Sequence, residues 1–263
     1  MHIQNYINEK LDKLSPRTVA YSISILRQAL KHAVVRWRLI PLNPADAVQT
    51  PSYKRVKFRA LSAEEVEQFL GATEGHQAYA VIYTALYTGM RRGELLGLRW
   101  EDVDLTKGVL NVRQQLQRIA GKGYITKAPK TEAGTREVAL PSSVVALLRR
   151  LKKEQAEARL RLGPAWCENG LVFCLEDGRP LDPSNFSRRF HQLAVDAGFP
   201  DLRFHDLRHT HASLMLAAGE KITVVQERLG HEKPTTTAAI YAHAIPGRQR
   251  EAADRFEEML QGK

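Results

Sequence analysis

Residues 205–211 read His-Asp-Leu-Arg-His-Thr-His, and the first four of them decide how the rest of the chain is understood. His205 and Arg208 stand three apart, so at the start of a helix an imidazole and a guanidinium share one face and can point at one anion. Alone, that spacing is a weak signal. It gains weight from what lies around it. Residues 88–95 read Thr-Gly-Met-Arg-Arg-Gly-Glu-Leu, which puts Arg91 just beyond a helix end marked by Gly89. Pro129-Lys130-Thr131 falls at a turn between β-rich stretches, Leu229-Gly230-His231 follows the His-x-x-Arg helix, and Tyr241 comes after all of them.

The pattern around these stretches predicts a mainly α protein with a small antiparallel β-sheet, an α+β fold. Ser15-Pro16-Arg17 opens a helix whose apolar face is Val19, Ile23, Leu26, Leu30 and Val34. Ser62-Ala63-Glu64-Glu65 has the form of a capping box and starts another. Further helices are expected over 76–87, 143–160, 184–196, 206–217, 221–229 and 248–260, the last with Ala252, Phe256, Met259 and Leu260 as its apolar face. Strands over 109–117, 124–128 and 135–140 should form one sheet with Lys130 at its second turn, and 171–174 reads as a separate strand.

Charge is concentrated at the front. The 263 residues carry a formal net charge of +10, and the first 60 hold eleven Lys/Arg against three acids. Such a distribution suits a DNA-gripping element joined to a domain with other work to do. Within it, Arg27, Lys31 and Arg36 on the first long helix and Lys54, Arg55 and Lys57 after it are the expected DNA contacts. Residues 51–60 are polar and basic without periodicity, so the expected organisation is a partial helical domain over 1–50, a basic linker over 51–60, and a larger domain over 61–263. No stretch has the length and apolarity of a membrane helix, no signal-peptide pattern opens the chain, and Cys167 and Cys174 read as reduced thiols, so a cytoplasmic protein is expected.

Together, in this order and at these separations, the motifs at Arg91, Lys130, His205-Asp206-Leu207-Arg208, His231 and Tyr241 closely resemble the tyrosine recombinase (phage integrase) family. The resemblance covers about residues 60–245 with the family's catalytic domain, the fold of DNA breaking-rejoining enzymes, and 14–50 less distinctly with its core-binding domain. It implies that Arg91 and Arg208 are catalytic arginines, Glu94 supports Arg91, Lys130 is the hairpin lysine, His205 and His231 are the two histidines, and Tyr241 is the nucleophile. It further implies a 3′-phosphotyrosine link, a freed 5′ hydroxyl, no cofactor, and strand exchange at inverted-repeat core sites in double-stranded DNA. The implied assembly is a homo-tetramer on synapsed DNA formed from monomers, with an accessory DNA-bending protein as a further partner. The family's core-binding domain has about four helices where about 50 residues here allow two, so the first domain is expected to be truncated or reduced.

The chemistry asks for these residue types on its own terms. A phosphodiester under attack develops charge on its nonbridging oxygens, which paired hydrogen bonds from two arginines can hold. A phenol needs a proton acceptor and a departing sugar oxygen needs a donor; His205 and Lys130 fit those tasks. A metal site at His205, His209 and His211 is not expected, because no carboxylate completes a zinc-hydrolase pattern and Arg208 would repel a cation. Two other classes compete at this point. One is a noncatalytic DNA-binding regulator with a helix-turn-helix over 222–240, which leaves Arg91, Lys130, His205 and Arg208 without a reason to coexist. The other is a type IB topoisomerase-like relaxing enzyme, which shares the phosphotyrosine chemistry without pairing two sites.

Overall fold

The computed structural model describes residues 2–53, 58–129, 134–230, 256–259 and 261. The chain divides into two compact units, Met1–Lys57 and Phe58–Lys263, each with buried apolar residues of its own. In the first, α1 (His2–Leu11) and α2 (Pro16–Val35) enclose Ile7, Val19 and Ile23. Ser15 caps α2 by accepting from the Thr18 amide at 3.2 Å, and Pro16 takes the position where a missing N–H costs least.

Among its described residues the second unit is mainly helical, with two small antiparallel sheets. The capping box at Ser62 is formed in full: the Ser62 hydroxyl accepts from the Glu65 amide at 3.2 Å and Glu65 accepts from the Ser62 amide at 2.9 Å. It opens α3 (Ala63–Thr73). Helix α4 (Tyr79–Thr88) is buried on several sides, and its two buried threonines return their hydroxyls to the backbone, Thr84 to Ala80 and Thr88 to Thr84. α4 ends at Gly89 in the left-handed conformation (φ 65°), and a Cβ there would meet the His211 ring at 2.6 Å and Leu229 at 2.7 Å. Glycine is therefore required both by conformation and by space. The short α5 (Arg92–Leu96) follows at once.

The single sheet expected from the sequence is two sheets. A short strand β1 (Val103–Asp104) pairs with β2 (Val109–Val112), which pairs in turn with β5 (Arg136–Ala139); β3 (Gln115–Ile119) and β4 (Gly123–Lys127) form a separate ribbon. The run 109–117 breaks at Arg113 and Gln114, where Gln114 donates its amide to the Gly97 carbonyl at 2.8 Å. Gly97 lies so close to the ribbon that a Cβ would sit 2.7 Å from the Leu116 nitrogen. This docking of α5 against β3 turns the chain out of the first sheet. The strand expected over 171–174 is reduced to isolated pairings, Arg99 with Leu171 and Cys174 with Pro180.

Among the described residues four long helices follow: α6 (Ser142–Leu162), α7 (Pro183–Asp196), α8 (Phe204–Ala217) and α9 (Ile222–Leu229). The unit's main core is an aromatic cluster beside aliphatic side chains. Phe69 of α3 meets Phe190 and Phe199 edge-on, and Phe204, at the first turn of α8, meets Phe186 and Phe190 in the same way at 5.1 Å. The start of α8 is thereby anchored in the core, one residue before His205. Of the expected final helix, only Phe256 to Met259 and Gln261 lie among the described residues, and they are helical.

Candidate active site

The site is assembled from the beginnings of α5 and α8, the end of α9 and the inward face of β5. Arg91 is the residue from which α5 starts. Its backbone N–H donates to Glu94 Oε2 at 2.9 Å and its Nη1 donates to Glu94 Oε1 at 2.7 Å. Glu94 itself is only 3% exposed. Burial alone would raise its pKa, but the charge and hydrogen bonds of Arg136 and the charge of Arg91 outweigh it and hold the carboxyl below its ordinary value. Glu94 is therefore an anion between two guanidiniums.

Arg208 is almost fully buried on α8. Its Nη1 donates to the Gly89 carbonyl at 2.7 Å and its Nη2 to the Leu229 carbonyl at 2.6 Å. Arg91 Nη2 donates to the next carbonyl, Gly230, at 3.3 Å. Two arginines 117 positions apart in the sequence thus meet on consecutive carbonyls at the C-terminal end of α9, which carries the negative end of the helix dipole. That arrangement holds two cationic forks side by side in a partly desolvated place, where charge on an incoming phosphate is best stabilised.

His205 sits in the first turn of α8, exposed on one side and edge-on to His209 at 4.9 Å on the other. Partial burial and then the charge of Arg208, with a smaller contribution from Arg91, hold its pKa below the ordinary histidine value. The ring is neutral at pH 7 and able to accept a proton. His209 stacks on Phe58 at 4.5 Å and burial pushes it down to about 4.

Residues 59–248 match the phage integrase family model. The chain belongs to that family, the tyrosine recombinases, whose members exchange DNA strands. It is 30% identical to the XerC-like tyrosine recombinase of Caldanaerobacter subterraneus subsp. tengcongensis, over 99% of this chain and 71% of that one. Further integrases at 31 and 34% identity are spanned over 61 and 64% of their length, so the chain corresponds to part of those proteins. The fold matches the Tn1549 transposon integrase in complex with transposon right-end DNA, with a TM-score of 0.82 at 24% identity over 97% of this chain and 84% of that one. It also matches a λ integrase tetramer bound to a Holliday junction, with a TM-score of 0.63 at 21% identity over 90% of this chain and 63% of that one. These relatives favour neither the regulator nor the relaxing enzyme.

Among the recombinase's candidate residues, the structure brings together Arg91, Glu94, His205 and Arg208. Lys130, His231 and Tyr241 lie outside the described residues, as do Lys54, Arg55 and Lys57. Lys31 and Arg36 are exposed in the first unit. Arg27, read as a DNA contact, directs its donors inward instead: to the Ala45 carbonyl at 2.9 and 3.2 Å and the Thr50 hydroxyl at 3.3 Å, with Asp46 at 3.3 Å. It pins the segment after α2.

Two residues of this neighbourhood, Arg136 and Arg228, escape the sequence reading, and a third, His211, enters it only as a histidine not expected to hold a metal. Arg136 on β5 bonds to Glu94, and its Nε donates to the Arg228 carbonyl at 2.7 Å. Its signal was available: in 136–140 it falls in phase with Val138 and Leu140, an arginine at an inward position of a strand. His211, 7% exposed, pairs its Nδ1 with the Leu86 carbonyl at 2.8 Å and receives Arg228 Nε on its Nε2 at 3.2 Å. A carbonyl can only accept and a guanidinium can only donate, so His211 is the neutral Nδ1–H tautomer. Arg228 also donates to the Tyr87 and Ala139 carbonyls, joining the ends of α4, β5 and α9.

Proposed function

We propose that this chain is the strand-cleaving and rejoining part of an integrase that moves mobile DNA through a covalent 3′-phosphotyrosine intermediate. The observation that carries the reading is the meeting of Arg91 and Arg208 on neighbouring carbonyls of α9, with neutral His205 on the same helix as Arg208. In the proposed reaction the Tyr241 Oη attacks the scissile phosphorus, the P–Oη bond forms and the bond to the 5′ oxygen breaks. His205 accepts the phenolic proton, and Lys130 supplies a proton to the departing 5′ oxygen. Arg91 and Arg208 hold the charge that grows on the nonbridging oxygens, and His231 helps position the phosphate. Attack by a free 5′ hydroxyl reverses these steps on a new strand. The phosphotyrosine conserves the energy of the broken linkage, so rejoining draws on no nucleotide.

The proposed substrate is an inverted-repeat core site in double-stranded DNA, and the proposed assembly a homo-tetramer on two synapsed sites, monomeric before DNA is bound and aided by a DNA-bending protein in the cytoplasm. Residues 1–50 would contribute to the grip on DNA through Lys31 and Arg36, 51–60 would track phosphates through Lys54, Arg55 and Lys57, and 61–263 would carry the chemistry. No described helix is long and apolar enough to cross a membrane.

The test is incubation with a nicked suicide duplex bearing the core site, followed by denaturing electrophoresis. A slower, protease-sensitive adduct is expected with the parent protein and none with Tyr241→Phe. Specific binding without adduct on any such duplex would overturn the reading in favour of a DNA-binding regulator. Relaxation of supercoiled plasmid irrespective of sequence would favour the relaxing enzyme.

A further inference from the structure

We propose that Arg136 is a positioning residue for strand cleavage: it locks Glu94, and through Glu94 the Arg91 guanidinium, to the same turn of α9 that holds Arg208. This inference rests on the reading of Arg91 as a phosphate-binding arginine.

Arg136 is 8% exposed and occupies an inward position of β5. Burying a guanidinium costs several kcal/mol, so a strand that needed only packing would be better served by valine or isoleucine. What offsets the cost here is a set of bonds to two other segments and to the residues just before its own strand. Nη2 donates to Glu94 Oε2 at 2.9 Å and Nη1 lies 3.4 Å from Glu94 Oε1. Nη1 also donates to the Gly134 carbonyl at 3.1 Å, and Nε donates to the Arg228 carbonyl at 2.7 Å.

The division of Glu94's oxygens is what makes this more than a buried ion pair. Each oxygen serves both arginines: Oε1 takes Arg91 Nη1 and Arg136 Nη1, and Oε2 takes the Arg91 amide and Arg136 Nη2. With Arg136 removed, the carboxylate would keep one partner and could turn about its own side-chain torsions, taking the Arg91 head with it. The second half of the argument lies at α9. Arg228, Leu229 and Gly230 offer three successive carbonyls, and these receive Arg136, Arg208 and Arg91 in that order. Arg136 therefore holds the carboxylate partner of the Arg91 head directly, and it ties down, at the Arg228 carbonyl, the same turn that offers Arg91 the Gly230 carbonyl. Lysine does not reproduce this, because its three donors radiate from one nitrogen, whereas the guanidinium sets Nη1 and Nη2 on Glu94 and Nε on the Arg228 carbonyl in one fixed plane.

Arg136→Lys keeps the charge and loses the fork. The expected result is adduct formation slowed on the order of 10²-fold, the size of effect that a displacement of about 1 Å produces at a reacting group, with unchanged affinity for the duplex. Combined with Glu94→Gln, the lysine variant should be no slower than Glu94→Gln alone within about twofold, since both changes cut the same link. A role in folding only would instead leave the rate of the folded protein intact, or add to the loss from Glu94→Gln; either result overturns the proposal. Arginine side-chain signals in a nitrogen-15 spectrum give a readout that does not depend on cleavage. The Arg91 guanidinium signals should shift in Arg136→Lys and in Arg136→Gln while those of Arg27 stay in place, and unmoved Arg91 signals would also overturn the proposal. If the parent protein forms no adduct, the functional reading fails, and the spectrum still decides whether Arg136 positions Arg91.

Discussion

The starts of α5 and α8 are built from the same local device, and only one of them becomes an anion clamp. Each helix begins at an arginine whose backbone N–H donates to an acid three residues on: Arg91 to Glu94 at 2.9 Å, Arg203 to Asp206 at 3.0 Å. Each arginine also ion-pairs with that acid through its side chain, at 2.7 Å and 2.8 Å. Both acids are buried. An arginine has no acceptor for the N3 amide, so each is half a capping box completed by a charge pair. The difference lies in what else arrives. Arg203 sends both Nε and Nη2 to Asp206 and remains 55% exposed, so its donors are directed at the cap. Glu94 receives Arg136 from β5 as well, and Arg91 divides its donors between Glu94 and the Gly230 carbonyl. A cap becomes a candidate catalytic group when a second cation takes over part of the anchoring.

The hardest blow to this comparison would come from exchanging the consequences. Arg91→Ala should slow adduct formation by about 10² to 10³, the usual loss when one preorganised donor to a developing oxyanion is removed, with duplex binding weakened far less. Arg208→Ala should do the same. Quenched cleavage assays at saturating protein measure this directly. A loss under tenfold for Arg91→Ala would mean that α5 starts with an ordinary cap after all.

A second contrast runs along α8, between its exposed end at His205 and its buried flank at His211. Burial and the nearby charge of Arg228 push His211 down to about 4, from an ordinary value of 6.5, and His209 is depressed to a similar value. Both are held neutral in the folded state. Between pH 6.5 and about 4 the unfolded chain takes up protons that the folded chain refuses, so stability is fully present above 6.5 and declines as pH falls through that window. The thermal midpoint should drop on acidification from 7 to 4.5, by an amount that reflects at most about 3 kcal/mol for His211, and His211→Gln should flatten that part of the curve. An unchanged slope in the variant would show that His211 does not carry the effect.

How much of this was readable beforehand varies with the kind of interaction. The helices came from apolar spacing and caps, and Arg91, Glu94, His205 and Arg208 were legible because order and separation along the chain are sequence properties. The split of the sheet was not, because it depends on how closely Gly97 approaches Leu116 across the fold. Arg27 is expected among the DNA contacts because charge shows in a sequence and an intramolecular partner does not: its acceptors here are backbone carbonyls at 45 and 48, which any residues there would supply. The same blindness hid Arg136 and Arg228, whose bonds to carbonyls of α9, α4 and β5 leave no trace in residue type. Only the phase of Arg136 within its strand could have pointed to it.

Asp206 offers a finer separation of capping from catalysis. Asp206→Ala removes the acceptor for the Arg203 amide and for its side chain inside the core, which should cost about 1.5 to 3 kcal/mol, while the folded fraction cleaves at the parent rate. Glu94→Ala should lower both stability and cleavage. Chemical denaturation and single-turnover cleavage on the two variants, run side by side, test the claim; equal cleavage losses would mean that both helix starts position the phosphate site.

The smallest expected effect is also the most discriminating for Arg203 itself. Its side chain is more than half exposed, so water competes for the same carboxylate and salt screens the pair, and such ion pairs contribute about 0 to 1 kcal/mol. Arg203→Ala keeps the backbone N–H that Asp206 accepts, and that bond survives the substitution because it belongs to the main chain. Stability should therefore fall by no more than about 1 kcal/mol, less at high salt, with cleavage unchanged. In Arg91→Ala the corresponding amide bond to Glu94 survives too, and yet cleavage should collapse. If Arg203→Ala matched that collapse, the second cation at Glu94 would not be what separates the two helix starts.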